Sequence, residues 1–89
     1  MEPWNYISKA CRGEREIDLH GMRVHEAIEL LDRKIPEWMV AFDSVCVMHG
    51  HGTGKLKKGI VEYLNHHPKV REVRNTPEGI RRGYIWIEF

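Results

Sequence analysis

The sequence predicts a two-layer α/β domain, with two helices packed on one face of a four-stranded mixed sheet in the order β-α-β-α-β-β. Three observations predict it. Two stretches carry apolar residues at the three-and-four spacing of an amphipathic helix, and four short apolar or alternating runs precede, separate and follow them. The third is length: 89 residues bury one modest core, which favours a single layer of helices over a sheet covered on both faces. With 42% apolar and 30% charged residues the chain is globular rather than disordered.

Residues 1–15 scatter Trp4, Tyr6 and Ile7 among polar residues and read as an N-terminal arm, leaving 16–89 as the domain proper. Glu16-Ile17-Asp18-Leu19 alternates polar and apolar as a first strand does, and His20-Gly21 ends it at a residue that permits a tight turn. From Val24, apolar residues fall at Ala27, Ile28, Leu31, Ile35, Trp38, Met39 and Phe42, the stripe of an amphipathic helix. Pro36 interrupts that stripe without changing its phase, so the expectation is a kink within one helix.

Ser44-Val45-Cys46-Val47-Met48 is a nearly continuous apolar run, as expected of a strand in the sheet centre, with Cys46 a core thiol. The glycine-rich loop His49-Gly50-His51-Gly52-Thr53-Gly54 leads into a second helix, about Lys55 to Asn65, with Leu56, Ile60, Val61 and Leu64 inward. It stops near His66-His67-Pro68, because proline disfavours helix at the residue before it. Val70 to Arg74 follows as a third strand and Asn75-Thr76-Pro77-Glu78-Gly79 as a turn cluster. Tyr84-Ile85-Trp86-Ile87-Glu88-Phe89 alternates as a last strand.

No apolar run approaches a membrane span, and Met-Glu-Pro-Trp-Asn-Tyr lacks the layout of a signal peptide, so the expected compartment is the cytoplasm and no membrane partner is expected. Cys11 and Cys46 make neither a disulfide framework nor a CxxC pair. The net charge of +1 conceals an uneven distribution. Residues 1–54 carry six Lys/Arg against nine Asp/Glu, a balance of −3, and residues 55–89 carry eight against four, a balance of +4. A polyanion would therefore meet mainly the C-terminal half.

The chemistry is expected at two strand ends. The first strand, helix and second strand form a βαβ unit whose right-handed crossover sets the strands parallel, with their carboxyl ends on one side. Each end carries the same dipeptide, His20-Gly21 and His49-Gly50, and each precedes a helix N-terminus. Open α/β sheets bind ligands at such ends, and helix N-termini offer unpaired N–H groups to anions, so the expected guest is a phosphate. Gly50, Gly52 and Gly54 let backbone amides approach it, and Lys55 adds a full charge. A P-loop is ruled out, since Gly54-Lys55 is followed by Leu56 and His49 stands where its first glycine belongs. A dinucleotide fingerprint fits poorly, because its third glycine would fall at Lys55 and the chain is short for the full dinucleotide fold.

These residues resemble the Smr (small MutS-related) domain family, found alone or at the C-terminus of MutS-like proteins, over residues 16–89. Ile17-Asp18-Leu19-His20-Gly21 with Glu26-Ala27 matches its first signature and His49 to Leu56 its second, HGxGxGxL; His67-Pro68 closes the second helix as in the family. The resemblance implies a fold similar to the C-terminal domain of translation initiation factor 3. It also implies an endonuclease that nicks DNA or cleaves RNA, as in DNA repair or recombination or in ribosome rescue. The implied partners are DNA or RNA, and the ribosome or a MutS-like ATPase. The sequence departs from the family at Gly79-Ile80-Arg81-Arg82-Gly83-Tyr84-Ile85-Trp86, where a glycine-rich stretch and small residues are usual.

The expected roles follow. RNA scission needs a base for the 2′-hydroxyl and an acid for the leaving 5′-oxygen, each worth roughly a hundred- to ten-thousand-fold. His20 and His49 are the candidate pair, with Asp18 orienting an imidazole or holding a metal; strand alternation puts Asp18 and His20 on one face. Gly50, Gly52, Gly54 and Lys55 would steady the developing charge. His51 lies in the same loop, and Lys57, Lys58, Lys69, Arg71 and Arg74 would grip the backbone. Arg81 and Arg82 would do so beside Tyr84 or Trp86, on which a base stacks, unless Trp86 packs against the arm instead.

On DNA a water must attack, which usually calls for a divalent metal such as Mg2+. The six histidines make no structural zinc set, since His66-His67 close a helix and His25 lies on a helix flank, facing solvent. The competing reading is a non-catalytic module that holds nucleic acid or a ribosome for a MutS-like partner; a third is an enzyme acting on a small phosphoester.

Overall fold

The structure, a computed structural model, describes residues 15–89. The expectations for the arm before Arg15, those for Trp4, Tyr6, Ile7 and Cys11 included, lie outside the described residues. Four strands and three helices follow in chain order: β1 (Glu16–Asp18), α1 (Val24–Ala41), β2 (Ser44–Met48), α2 (Lys55–Asn65), β3 (Glu72–Arg74), α3 (Pro77–Arg82) and β4 (Tyr84–Glu88). The sheet has the order β1-β2-β4-β3, with β1 parallel to β2 and the other two pairs antiparallel.

Strand alternation sorts the core. Leu19, Val45, Val47, Ile85 and Ile87 are fully buried and face α1 and α2, which answer with Ala27, Leu31, Ile35, Trp38, Ile60 and Leu64. Cross-strand register places Glu16, Cys46, Trp86 and Arg74 in one row on the opposite face. Cys46 is a buried thiol, as its apolar run predicts, but it belongs to this second face rather than to the helix-side cluster. Half-buried Trp86 lies on that face too, and the Arg15 guanidinium stands 6.0 Å from its ring and 5.8 Å from that of Phe42.

The helix α1 runs through Pro36 without a break, because proline and its neighbour Glu37 lie on the exposed side, where water can meet the carbonyl that the missing N–H leaves free. It is joined to α2 by a hydrogen bond from the Tyr63 hydroxyl to Asp32, 2.7 Å. At Gly59 the two helices touch so closely that an added Cβ would meet the Val24 side chain at 2.5 Å.

The expectation of two helices and a turn at residues 75–79 is corrected. Thr76 caps a six-residue helix, its hydroxyl accepting from Gly79 N–H at 2.9 Å, and Pro77 occupies the first helical position, where a missing N–H costs nothing. The third strand also begins later than Val70: Val70 N–H still bonds the His67 carbonyl in a turn, and Arg71 N–H opens the pairing with Glu88. Arg74, at the end of this edge strand, and Arg71, just before its start, both reach the Glu88 carboxylate. Among the described residues no helix is long and apolar enough to cross a membrane.

Candidate functional site

Parallel pairing of β1 with β2 aligns Asp18 with Met48, so both strands end on the same rim of the sheet, and Leu19 N–H bonds the Met48 carbonyl at 2.7 Å. The chain turns at both ends through glycine with positive φ, 81° at Gly21 and 78° at Gly50. A cleft of about 580 Å³ opens there, lined by His20, Gly21, Met22 and Arg23 on one side and by His49 to Lys57 on the other. It lies between the first residues of α1 and those of α2.

Gly50 is the point on which the parts converge. A Cβ on it would stand 2.9 Å from His20 Cβ, so the turn after β2 rests directly on the residue after β1. On its other side Gly83, with φ of 84°, lies so close that its own Cβ would meet the Gly50 Cα at 2.9 Å. The Gly83 carbonyl accepts two hydrogen bonds, from His49 N–H at 2.8 Å and Gly50 N–H at 2.9 Å. Only residues without side chains let these backbones approach so closely.

The two imidazoles sit in opposite environments. His20 is exposed, and its Nδ1–H donates to Asp18 Oδ1 at 2.6 Å while its backbone N–H donates to the same oxygen at 3.1 Å. The hydrogen bond to that carboxylate, then its charge, raises the His20 pKa above the ordinary imidazole value. His49 is only 7% exposed. Its Nδ1–H donates to the Gly50 carbonyl at 2.6 Å, which leaves Nε2 as a bare lone pair, shielded from solvent and without a partner. Burial, assisted by the charges of Lys57 and His51, lowers the His49 pKa against the opposing effect of the Gly50 carbonyl.

Around this pair the helix α2 starts at Gly54, φ 87°, with no side-chain cap and no acidic residue in its first turn, so the positive end of its dipole is not neutralised locally. Thr53 Oγ1 accepts from Lys55 N–H at 3.3 Å. Gly52 and Gly54 have open space where a Cβ would sit. His51 also lines the cleft, and its Nε2–H donates to the Arg81 carbonyl at 2.6 Å.

Lys55 and Lys57 line the cleft; Lys58 lies beside it, in a shallow hollow with Val61, Glu62 and Asn75. Arg81 and Arg82 are exposed on α3 outside the cleft, Arg82 lying 3.4 Å from Glu78. Arg71 and Arg74 are not part of this surface, because they lie at the two ends of the far edge strand, Arg71 just before it, and are held by Glu88. The other histidines are elsewhere: His25 is exposed on α1, His66 Nδ1–H donates to the Glu62 carbonyl, and His67 stands edge-on to Tyr63.

Met22, Arg23 and Thr53 are among the lining residues that the sequence reading did not assign to the site. The signal for Arg23 was present, since it is a cation immediately before the first helix. Gly83 escaped as well, because its part depends on β4 returning beside β2. The donor set does not compose a metal cage: Asp18 Oδ1 is committed to two N–H donors beside an imidazole that favours its charged form, and no cluster of three candidate ligands occurs among the described residues.

Comparison with known proteins gives a consistent picture. A family model described as the Smr domain matches residues 17–89. Endonuclease MutS2 of Ruminiclostridium cellulolyticum is 36% identical over 69 residues, 76% of this chain and 9% of that protein. Endonuclease MutS2 of Helicobacter pylori is 36% identical over 76 residues, 84% of this chain and 10% of that one. The chain thus spans about a tenth of the length of these relatives. The crystal structure of the Smr domain of Thermus thermophilus MutS2 superposes with a TM-score of 0.74 at 28% identity, covering 83% of this chain and 95% of that one. YdaL, a stand-alone small MutS-related protein from Escherichia coli, shares the fold with a TM-score of 0.75 at 15% identity, over 93% of this chain and 70% of that one.

Proposed function

The chain belongs to the Smr domain family, and from that premise we propose that it is an endonuclease cutting the phosphodiester backbone of nucleic acid in the cleft between His20 and the glycine turn. The observation that carries this reading is the opposite tuning of two imidazoles on one cleft, His20 raised by Asp18 and His49 lowered by burial. Pairs of groups whose environments drive their pKa values apart are how one site supplies an acid and a base at the same pH.

In the proposed reaction the α2 N-terminus, Lys55 and Lys57 hold the phosphate, with Arg23 facing it from the α1 side. On RNA, the His49 Nε2 lone pair takes the proton of the 2′-hydroxyl as that oxygen bonds to phosphorus. The bond from phosphorus to the 5′-oxygen breaks, and His20 delivers its proton to that oxygen. The products are a 2′,3′-cyclic phosphate and a 5′-hydroxyl. The Asp18 carboxylate, hydrogen-bonded to Nδ1–H, favours the charged His20 ring and orients it.

A second reading has one observation in its favour. The His49 Nε2 lies beneath the surface, so in the free protein a substrate meets one imidazole and not two. This suits a module that grips nucleic acid for a partner, as part of a longer MutS-like protein or on a ribosome. Matched RNA and DNA hairpins incubated with the purified chain decide between them. Scission lost in His20→Ala and His49→Ala, with cyclic phosphate ends on RNA, supports the nuclease. Binding without scission by the wild type rejects it, and ends bearing a 5′-phosphate that vanish with chelator reject the two-histidine chemistry.

A further inference from the structure

His51 shares the glycine turn with His49, yet its side chain serves a different contact. Its Nε2–H crosses thirty positions of sequence to the Arg81 carbonyl at 2.6 Å, in the last turn of α3. Further links between the turn and the C-terminal end of α3 are made by backbone: the two amides on the Gly83 carbonyl and the close approach of Gly83 to Gly50. His51 is therefore a side-chain clasp between the turn that faces the cleft and the helix that carries Arg81 and Arg82.

We propose that His51 is a positioning residue that holds α3 in register with the phosphate cradle, so that Arg81 and Arg82 grip the same nucleic-acid backbone whose phosphate the α2 N-terminus receives. The physical case is one of alignment. Arg81 and Arg82 are exposed, and α3 is a six-residue helix too short to be stable alone. Thr76 fixes its N-terminal end. The contacts to the turn fix its C-terminal end, and His51 is the exposed member that a substitution removes without touching backbone. Cations on a frame locked to the cradle meet consecutive phosphates together; on a loosened frame each must be ordered at the time of binding, which forfeits part of the gain.

This inference rests on the nucleic-acid reading above, and its test separates the two. In the free chain, amide hydrogen exchange over residues 79–83 is expected to quicken about threefold to tenfold in His51→Ala, the range that loss of one hydrogen bond allows. His51→Gln, whose side-chain amide can donate to the same carbonyl, should restore it. With a short hairpin, the slope of log binding constant against log salt is expected to become shallower by about one to two in His51→Ala, as when one or two phosphate contacts are lost. Adding Arg81→Ala and Arg82→Ala to His51→Ala should then take away little more, since coupled residues are not additive. Unchanged exchange overturns the clasp, and an unchanged salt slope overturns its coupling to the arginines. A wild-type chain that binds no hairpin at low salt sinks the nucleic-acid reading and the coupling with it, while exchange alone still decides whether the clasp exists.

Discussion

His20 lies against the bare backbone of Gly50, so closely that a methyl group on Gly50 would come within 2.9 Å of the His20 Cβ. The contact joins the ends of two parallel strands and makes the glycine a spacer as well as a turn. Gly50→Ala meets two penalties, the left-handed φ of 78° and the clash with His20. It is expected to cost about 2 kcal/mol or more in urea unfolding. Cleavage should fall beyond what the lost stability explains, because His20 is pushed out of place.

Under the proposed reaction, the opposite imidazole shifts set the shape of the pH profile. His20 must be charged, so activity should fall as pH rises through its raised pKa. His49 must be neutral, so activity should fall as pH drops through its lowered pKa. The plateau then brackets the ordinary imidazole value of about 6.5. Asp18→Asn removes the cause of the His20 shift, so the alkaline limb should move down and the plateau narrow, as read by rate profiles and by NMR titration of the ring protons. A profile that lacks the acid limb would show that His49 is not the base.

Stability follows the same linkage with opposite signs. His20 contributes below the unfolded pKa of about 6.5, and that contribution is lost as pH rises through its raised folded value. His49 favours the neutral ring, so its contribution is present above about 6.5 and is lost as pH falls through its lowered folded value. Chemical denaturation across pH 5 to 8, compared between wild type and His49→Gln, should show the acid-side loss only in the protein that keeps His49.

The charge of Lys57 helps to hold His49 neutral. Lys57→Ala should therefore raise the His49 pKa, visible in the ring-proton titration, and also make the salt dependence of hairpin binding shallower by about one, equally for every sequence. An unmoved titration would mean that burial alone sets His49.

Thr76→Ala removes the cap of α3 and is expected to cost about 1 kcal/mol. Exchange should quicken at Gly79 and Ile80, whose amides bond the Thr76 hydroxyl and carbonyl, with little change in α1 or α2.

What could be read in advance was whatever a short stretch of chain decides for itself. The phases of α1 and α2 are visible because each is long enough to repeat its apolar spacing, and β2 announces itself through Val45-Cys46-Val47. The helix α3 is too short to repeat anything; its sign was the Thr76-Pro77 pair, read there as a turn. In the candidate site, the parallel βαβ unit brings His20 and His49 to one cleft, and sequence order suffices to expect that. Sequence order does not show that His49 turns its Nδ1 onto the neighbouring carbonyl, that Gly83 receives two amides of the turn, or that Arg71 and Arg74 share Glu88. The first is a rotamer choice between adjacent residues, and the other two depend on β4 coming back antiparallel between β2 and β3.

The two outer strands among the described residues, β1 and β3, are three residues long, and the second is flanked by Arg71 and ended by Arg74, both bent onto the neighbouring strand. A stray polypeptide seeking to extend the sheet finds scarcely one repeat of open hydrogen-bonding rungs there, crossed by charge. Such margins resist fibril growth and unwanted fusion with adjoining domains, a useful property in a unit that MutS2 proteins carry tethered to a far larger body.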